Sequence, residues 1–239
     1  MQSASPAVAN VLAHSGMDFV TIDMEHGPAS FETAESILYA IEAGGSTPMI
    51  RLGEGSAPTI LRALDIGCQG ILVAHVSTPE EALAISRATH YHPEGDRGLA
   101  PFTRLHDYSG DDLPQKLAEA NEQMLTGILI EDELGHRNLE GILETPGLDL
   151  VYLGIYDLSQ VLGVAGDVMN PKVVETVRAA VEQIEAKGMA AGAVCRDREH
   201  ARFLLECGFR YLSYLVDTAI LRDGFASARD WYEQLLRER

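Results

Sequence analysis

Lysine is nearly missing from this chain: Lys116, Lys172 and Lys187 are the only three in 239 residues. The first two fall in or at the start of expected helices, and the third precedes an expected strand. None is placed to form a Schiff base, so imine and pyridoxal-phosphate (PLP) chemistry are not expected. Basic residues number 18 against 36 acidic ones, a formal net charge of -18. Such a surface repels nucleic acid and anionic membrane, and neither is an expected partner. An anionic small molecule is not excluded, because it needs only a locally positive pocket.

Cysteine is also scarce. Cys68, Cys195 and Cys207 are odd in number, and their spacing fits no metal or redox motif. They read as reduced thiols of a cytoplasmic protein. No apolar run approaches the roughly 18 residues of a membrane span, and the first residues lack the basic-then-apolar pattern of a signal peptide. No Pro/Ser-rich or charge-biased linker divides the chain, so one domain is expected over residues 1–239.

What is present is an alternation. Apolar, β-type runs are expected as strands at 19–22, 48–51, 70–74, 127–130, 150–153, 189–194 and 210–215. Helical patterns fall between them: 6–14 behind a Ser5 cap and Pro6, 28–43, 57–66, a capped segment from Ser77-Thr78-Pro79 to about His90, 113–123, 171–187, 197–207 and 231–236. The stretch 91–112, rich in Gly, Pro, Arg and His, is too long for a plain connector and is expected as a functional lid or a disordered segment. Alternating strands and helices call for a parallel sheet under helical cover. At this length the expectation is a (β/α)8 TIM barrel. A doubly wound sheet is the runner-up, without a Gly-x-Gly-x-x-Gly to support it. Seven strands are found; the missing first one belongs before Ser5. That gap suggests a truncated or misassigned start, or a barrel closed differently, and an upstream-extended chain is expected to be the more stable form.

In a parallel barrel all strand C-termini meet on one face. Just past the strands stand Asp23, Glu25 and His26, then Arg51, His75, Glu131, Asp157, Cys195 and Asp217. Glu131 and Asp157 follow neighbouring strands, and two carboxylates held so close want a cation. Oxygen ligands with open positions suit Mg2+, Mn2+ or a similar ion; the plain alternative is two solvated acids. Arg51 ends a short apolar strand and wants a carboxylate or a developing oxyanion; the alternative is a structural ion pair with Asp65 or Glu25. His26 beside Asp23 reads as an acid-oriented base or a structural histidine. His75 reads as pocket lining. With no lysine available, making or breaking a C–C bond here requires an enolate stabilised by a metal and Arg51.

Asp23-Met24-Glu25-His26-Gly27-Pro28, Ile50-Arg51, Leu64-Asp65-Ile66-Gly67, Gly95-Asp96-Arg97-Gly98, Ile130-Glu131 and Gly154-Ile155-Tyr156-Asp157-Leu158-Ser159 occur in the order of one family. Over nearly its whole length the chain resembles the HpcH/HpaI family of metal-dependent class II 2-oxo acid aldolases. The resemblance implies a (β/α)8 barrel in a homo-oligomer, a hexamer built as a trimer of dimers that exchange their last helices. It implies a divalent ion (Mg2+, Mn2+ or Co2+) on Glu131 and Asp157, and pyruvate chelating it. Backbone N–H groups near Tyr156 and Asp157 would hold the pyruvate carboxylate, and Arg51 would hold the enolate oxygen. His26, with Asp23 or Asp65, would move protons and hold the aldehyde oxygen. Cleavage would give pyruvate and an aldehyde. Three positions depart from the family pattern: Leu129 replaces its usual Gln, Ile155 its usual Pro, and the first strand is missing. Leu129 and Ile155 motivate one alternative, another metal-and-enolate reaction on a related acid (lyase, decarboxylase or biosynthetic C–C bond formation); a non-catalytic barrel used for binding or assembly is the other, lesser one, since the ligand and arginine positions are intact.

Overall fold

A computed structural model describes residues 1–238; Arg239, the last residue of the expected domain, lies outside the described residues. Seven strands form one all-parallel sheet in chain order: β1 (Phe19–Asp23), β2 (Thr47–Leu52), β3 (Gly70–Val73), β4 (Leu125–Ile130), β5 (Leu150–Leu153), β6 (Ala190–Cys195) and β7 (Tyr211–Tyr214). All seven expected strands are present. The sheet curls into a barrel-like shape but is not a complete eight-stranded barrel. Among the described residues, β7 and β1 share no backbone ladder.

Side chains bridge that opening instead. Phe19 stacks on Tyr211 with ring centroids 4.1 Å apart, and the Thr21 and Tyr211 hydroxyls are 3.0 Å apart. At the upper end the first residues lie against β1. The Met1 amine donates to the Thr21 carbonyl, and Asp23 N donates to the Met1 carbonyl at 2.9 Å. Gln2 N then donates to Asp217 Oδ1 (2.6 Å), beyond the end of β7.

Helices α1 (Pro6–His14), α2 (Phe31–Ala43), α3 (Ala57–Asp65), α4 (Pro79–Thr89), α5 (Leu113–Gln123), α6 (Glu133–Arg137), α7 (Leu139–Ile142), α8 (Ile155–Val161), α9 (Pro171–Ala186), α10 (Arg198–Glu206) and α11 (Asp217–Arg237) fill the connections. Their starts follow local chemistry. Thr78 and Glu81 make a reciprocal capping box at α4, and Asp197 caps His200 N at α10. The second helix begins at Phe31, not Pro28, because Ser30 is the residue whose hydroxyl caps it. The last helix starts at 217 rather than 231, and α6, α7 and α8 arise where no helix was expected. These three are short, and a period of 3.6 is hard to read in five residues. Residues 91–112 form a folded strap with one 3-10 turn (Arg104–His106), tied down by Arg97 to Asp65, Arg104 to Glu42 and Tyr91 to His106.

Strand parity sorts the core. Outward residues such as Ile22, Ile50, Ile71, Ile128, Ile130 and Val151 pack under the helices. Inward residues, Phe19, Met49, Leu72, Leu129, Leu150, Tyr152, Val194 and Tyr211, fill the curl. Because side chains alternate with period two, residues two beyond an inward position also face in. That rule delivers Asp23 and Arg51 from β1 and β2, and Glu131 just past β4, to the same mouth.

Candidate active site

The mouth contains a cavity of about 250 Å³. Asp23, Arg51, Glu131, Tyr156 and Asp157 line it, above an apolar floor that includes Leu72, Leu129, Tyr152 and Val194. Four separate loops and strands thus bring together the acids and the guanidinium named from the sequence.

Asp23 and Arg51 are register partners on adjacent strands. Arg51 Nε donates to Asp23 Oδ1 at 3.0 Å and Nη2 to Oδ2 at 2.5 Å, and Nε lies 3.3 Å from Glu25 Oε2. The same carboxylate caps its own turn, accepting from Glu25 N and His26 N at 3.1 Å each, and takes Gln2 Nε2 at 3.2 Å. Burial alone would raise the Asp23 carboxyl. The Arg51, His26 and Gln2 hydrogen bonds and the Arg51 charge outweigh it and hold the group below the usual Asp value. Asp23 is therefore an ionised anchor for Arg51, with both oxygens occupied. The turn it caps is tight: a Cβ on Gly27 would come within 2.2 Å of the Asp23 carbonyl oxygen.

His26 is exposed, and its Nε2 lies 3.8 Å from Glu25 Oε1. Asp65 is not brought to this mouth. It ends α3, near the start of β3 and hence at the opposite end of the sheet, where Arg97 Nη2 donates to it at 2.8 Å. Arg51 accordingly pairs with Asp23 and Glu25, not with Asp65.

Glu131 sits partly buried beside Gly154, whose missing side chain makes the approach possible; a Cβ there would lie 2.6 Å from the Glu131 Cβ. Burial, and then the charges of Glu25 and Asp157, hold the Glu131 carboxyl above its ordinary value against the opposing pull of His75. Asp157 stands in the first turn of α8. The first helical bond there, Leu158 N to the Gly154 carbonyl at 2.9 Å, leaves the preceding amides without a helical partner.

His75 has more contacts than its sequence position promised. Its Nε2 lies 2.9 Å from Glu25 Oε1 and its Nδ1 2.5 Å from Glu131 Oε1. Ligand atoms of Glu25, His75 and Glu131 all lie within 4.8 Å of one another. Glu131 Oε1 is buried and accepts no hydrogen bond, whereas the buried Glu25 Oε2 already faces the Arg51 guanidinium at 3.3 Å. A buried carboxylate oxygen without a donor fits a cation, so this donor set suits a divalent metal. The sequence signal for His75 was its place just past β3. What it hid was a left-handed backbone, φ +61°.

The match to known proteins covers the whole site. The model of the HpcH/HpaI aldolase/citrate lyase family matches residues 1–223. A 2-keto-3-deoxy-L-rhamnonate aldolase of Salmonella gallinarum is 33% identical over 234 residues, 95% of this chain and 85% of that protein. Among solved structures, an HpcH/HpaI aldolase/citrate lyase family protein from Burkholderia cenocepacia superimposes with a TM-score of 0.89 at 30% identity, covering 96% of this chain and 91% of the other. The citrate synthase SbnG superimposes with a TM-score of 0.85 at 29% identity, covering 97% and 90%. With its inward acids and its arginine gathered at the C-terminal mouth of a parallel sheet, the chain belongs to the HpcH/HpaI aldolase/citrate lyase family.

Proposed function

We propose that this carbon–carbon lyase is a divalent-metal-dependent aldolase that cleaves or forms a 4-hydroxy-2-oxo acid by way of a pyruvate enolate. The observation that carries the reading is the convergence of Arg51, Glu131 and Asp157 on one cavity with an apolar floor. Glu131 and Asp157 would hold the ion; when bound, it supplies the Lewis acidity that makes a 2-oxo acid lose a C3 substituent or proton. The unpaired amides at the start of α8, near Tyr156 and Asp157, bind the substrate carboxylate. Arg51, fixed by Asp23, places positive charge where the enolate oxygen develops, without reorganising as it does so. His26, exposed at the rim, exchanges the proton of the 4-hydroxyl, and Asp23 acts through Arg51 and the His26 turn. Asp65 would join such chemistry only from a neighbouring subunit, since its own chain places it elsewhere.

Assembly fits the same reading. Of α11, Asp217 is the buried residue, while Phe225, Trp231, Tyr232, Leu235 and Leu236 are exposed. A helix with that apolar surface wants a partner. We propose that it exchanges with a second copy in a homo-oligomer, a hexamer as a trimer of dimers, of a cytoplasmic protein whose single barrel domain spans 1–239. Among the described residues no helix is long and apolar enough to cross a membrane.

The deciding assay follows pyruvate release from a 4-hydroxy-2-oxo acid. Release should stop with chelator and return with Mg2+, Mn2+ or Co2+, and Glu131→Ala should remove it. Undiminished cleavage in Glu131→Ala would sink the metal role. A second reading keeps the enolate and joins or decarboxylates instead. Leu129, apolar and buried two residues before Glu131, favours it, because its alkyl side chain offers no hydrogen bond to a substrate above it. Exchange of the pyruvate methyl protons without aldehyde supports the aldolase over this alternative.

A further inference from the structure

We infer that His75 is itself a ligand of the ion held by Glu131, through Nδ1, and that Glu25 orients it by accepting from Nε2–H. The inference rests on the metal reading of Glu131 above and adds to it a nitrogen donor.

The backbone is the first support. An ordinary side chain rarely adopts a positive φ, and such a residue persists where its surroundings over-determine it. Here they do. Ala74 N donates to the Leu52 carbonyl at 2.9 Å and Val76 N to the Leu129 carbonyl at 3.2 Å. Ser77 Oγ donates to Asp132 Oδ2 at 2.6 Å, and Asn138 Nδ2 to the Ser77 carbonyl at 2.8 Å. Both flanks of His75 are thus tied to β2, to β4 and to the loop after Glu131. The left-handed turn aims the ring between two carboxylates instead of continuing the strand.

The second support is which atom meets which. Nδ1 faces Glu131 at 2.5 Å and Nε2 faces Glu25 at 2.9 Å. A histidine that binds a metal through one nitrogen usually gives the other N–H to a carboxylate, which fixes the tautomer and makes the free nitrogen a better donor. Glu25 is well suited to that part. Its side chain is 8% exposed, and Arg51 Nε neutralises its other oxygen from 3.3 Å. Glu131 Oε1, buried without a hydrogen-bond donor, is the carboxylate oxygen left for the ion. The third support is spacing: the ligand atoms already lie within one coordination sphere of each other, and a small separation of Nδ1 from Oε1 admits the cation between them.

A nitrogen ligand changes which ions bind. Mg2+ takes oxygen and keeps its water, whereas imidazole favours the later first-row ions. The site is therefore expected to select Co2+, Ni2+ or Zn2+ over Mg2+.

Pulsed electron paramagnetic resonance of the full-length protein loaded with Mn2+ alone tests this. Wild type should show modulation from one directly coordinated 14N, and His75→Ala should lose it while keeping its circular dichroism spectrum. Competition titrations supply a second readout: His75→Ala should lose Co2+ affinity by more than tenfold and Mg2+ affinity by much less. Glu25→Gln should weaken Co2+ by about 10- to 100-fold, the usual cost of removing a ligand's hydrogen-bond partner. Nitrogen modulation that survives His75→Ala, or its absence in wild type while Glu131→Ala abolishes Mn2+ binding, overturns the histidine ligand and leaves the Glu131 site standing. Mn2+ affinity unchanged by Glu131→Ala removes both.

Discussion

Replacing Asp23 by Ala tests how the mouth is built. The carboxylate is 6% exposed in its side chain and carries the two hydrogen bonds that hold Arg51, itself 22% exposed. It also caps two backbone amides. Removing one partner of a buried pair typically costs about 3–5 kcal/mol, mostly from the charge left behind. Glu25, at 3.3 Å from Arg51 Nε, retains part of the compensation, while the lost caps add roughly 1 kcal/mol. The expected destabilisation is therefore about 4 kcal/mol, or a fall of roughly 10 °C in melting midpoint for a chain of this size. Thermal melts and urea titrations measure it. The pH dependence gives an independent check. The folded-state pKa of Asp23 is depressed, so its contribution is complete above the unfolded-state value, about 3.9, and is lost as pH falls through the folded-state value. The gap between wild type and variant should be constant from pH 5 to 8 (about neutral and mildly acid conditions) and close below about pH 4. A gap that persists unchanged into acid, or a variant that melts with wild type, would refute the anchoring role.

Other outcomes follow from single contacts. Gly154→Ala drives a Cβ toward Glu131 and should weaken divalent-metal binding, read by titration, with far-ultraviolet circular dichroism retained. Ile71→Ala, at a fully buried position under the helices, should cost about 2–5 kcal/mol in urea unfolding. The three thiols are buried, with Cys68 pushed up to about 12 by burial and Cys195 and Cys207 also raised. Ellman's reagent at pH 8, a little above neutrality (about the range in which free thiols react), should therefore label the native protein slowly and all three cysteines rapidly in urea.

The strands were readable because each is a short β-type run bounded by turn residues, and strand parity then located the mouth. Thr47–Leu52 shows the logic: Met49 and Arg51 face in, Ile50 and Leu52 face out. The short helices α6 to α8 were not readable, because none is long enough to show a period, and only α6 starts on a side-chain cap, Asp132 on Gly135 N (2.6 Å). The length of α11 was missed because its apolar residues do not form a stripe buried in this chain.

Sequence order by itself determined the alternating α/β architecture, the family, and the presence of Arg51, Glu131 and Asp157 at strand ends, since period-two alternation and loop position are local properties. Tertiary structure alone decided the partners. Asp23 became Arg51's anchor and Asp65 was carried to Arg97 at the far end of the sheet. His75 reached Glu131 because hydrogen bonds from three distant segments hold it in a left-handed turn. Such pairings depend on the curl of seven strands and on contacts dozens of residues apart, which no local pattern encodes.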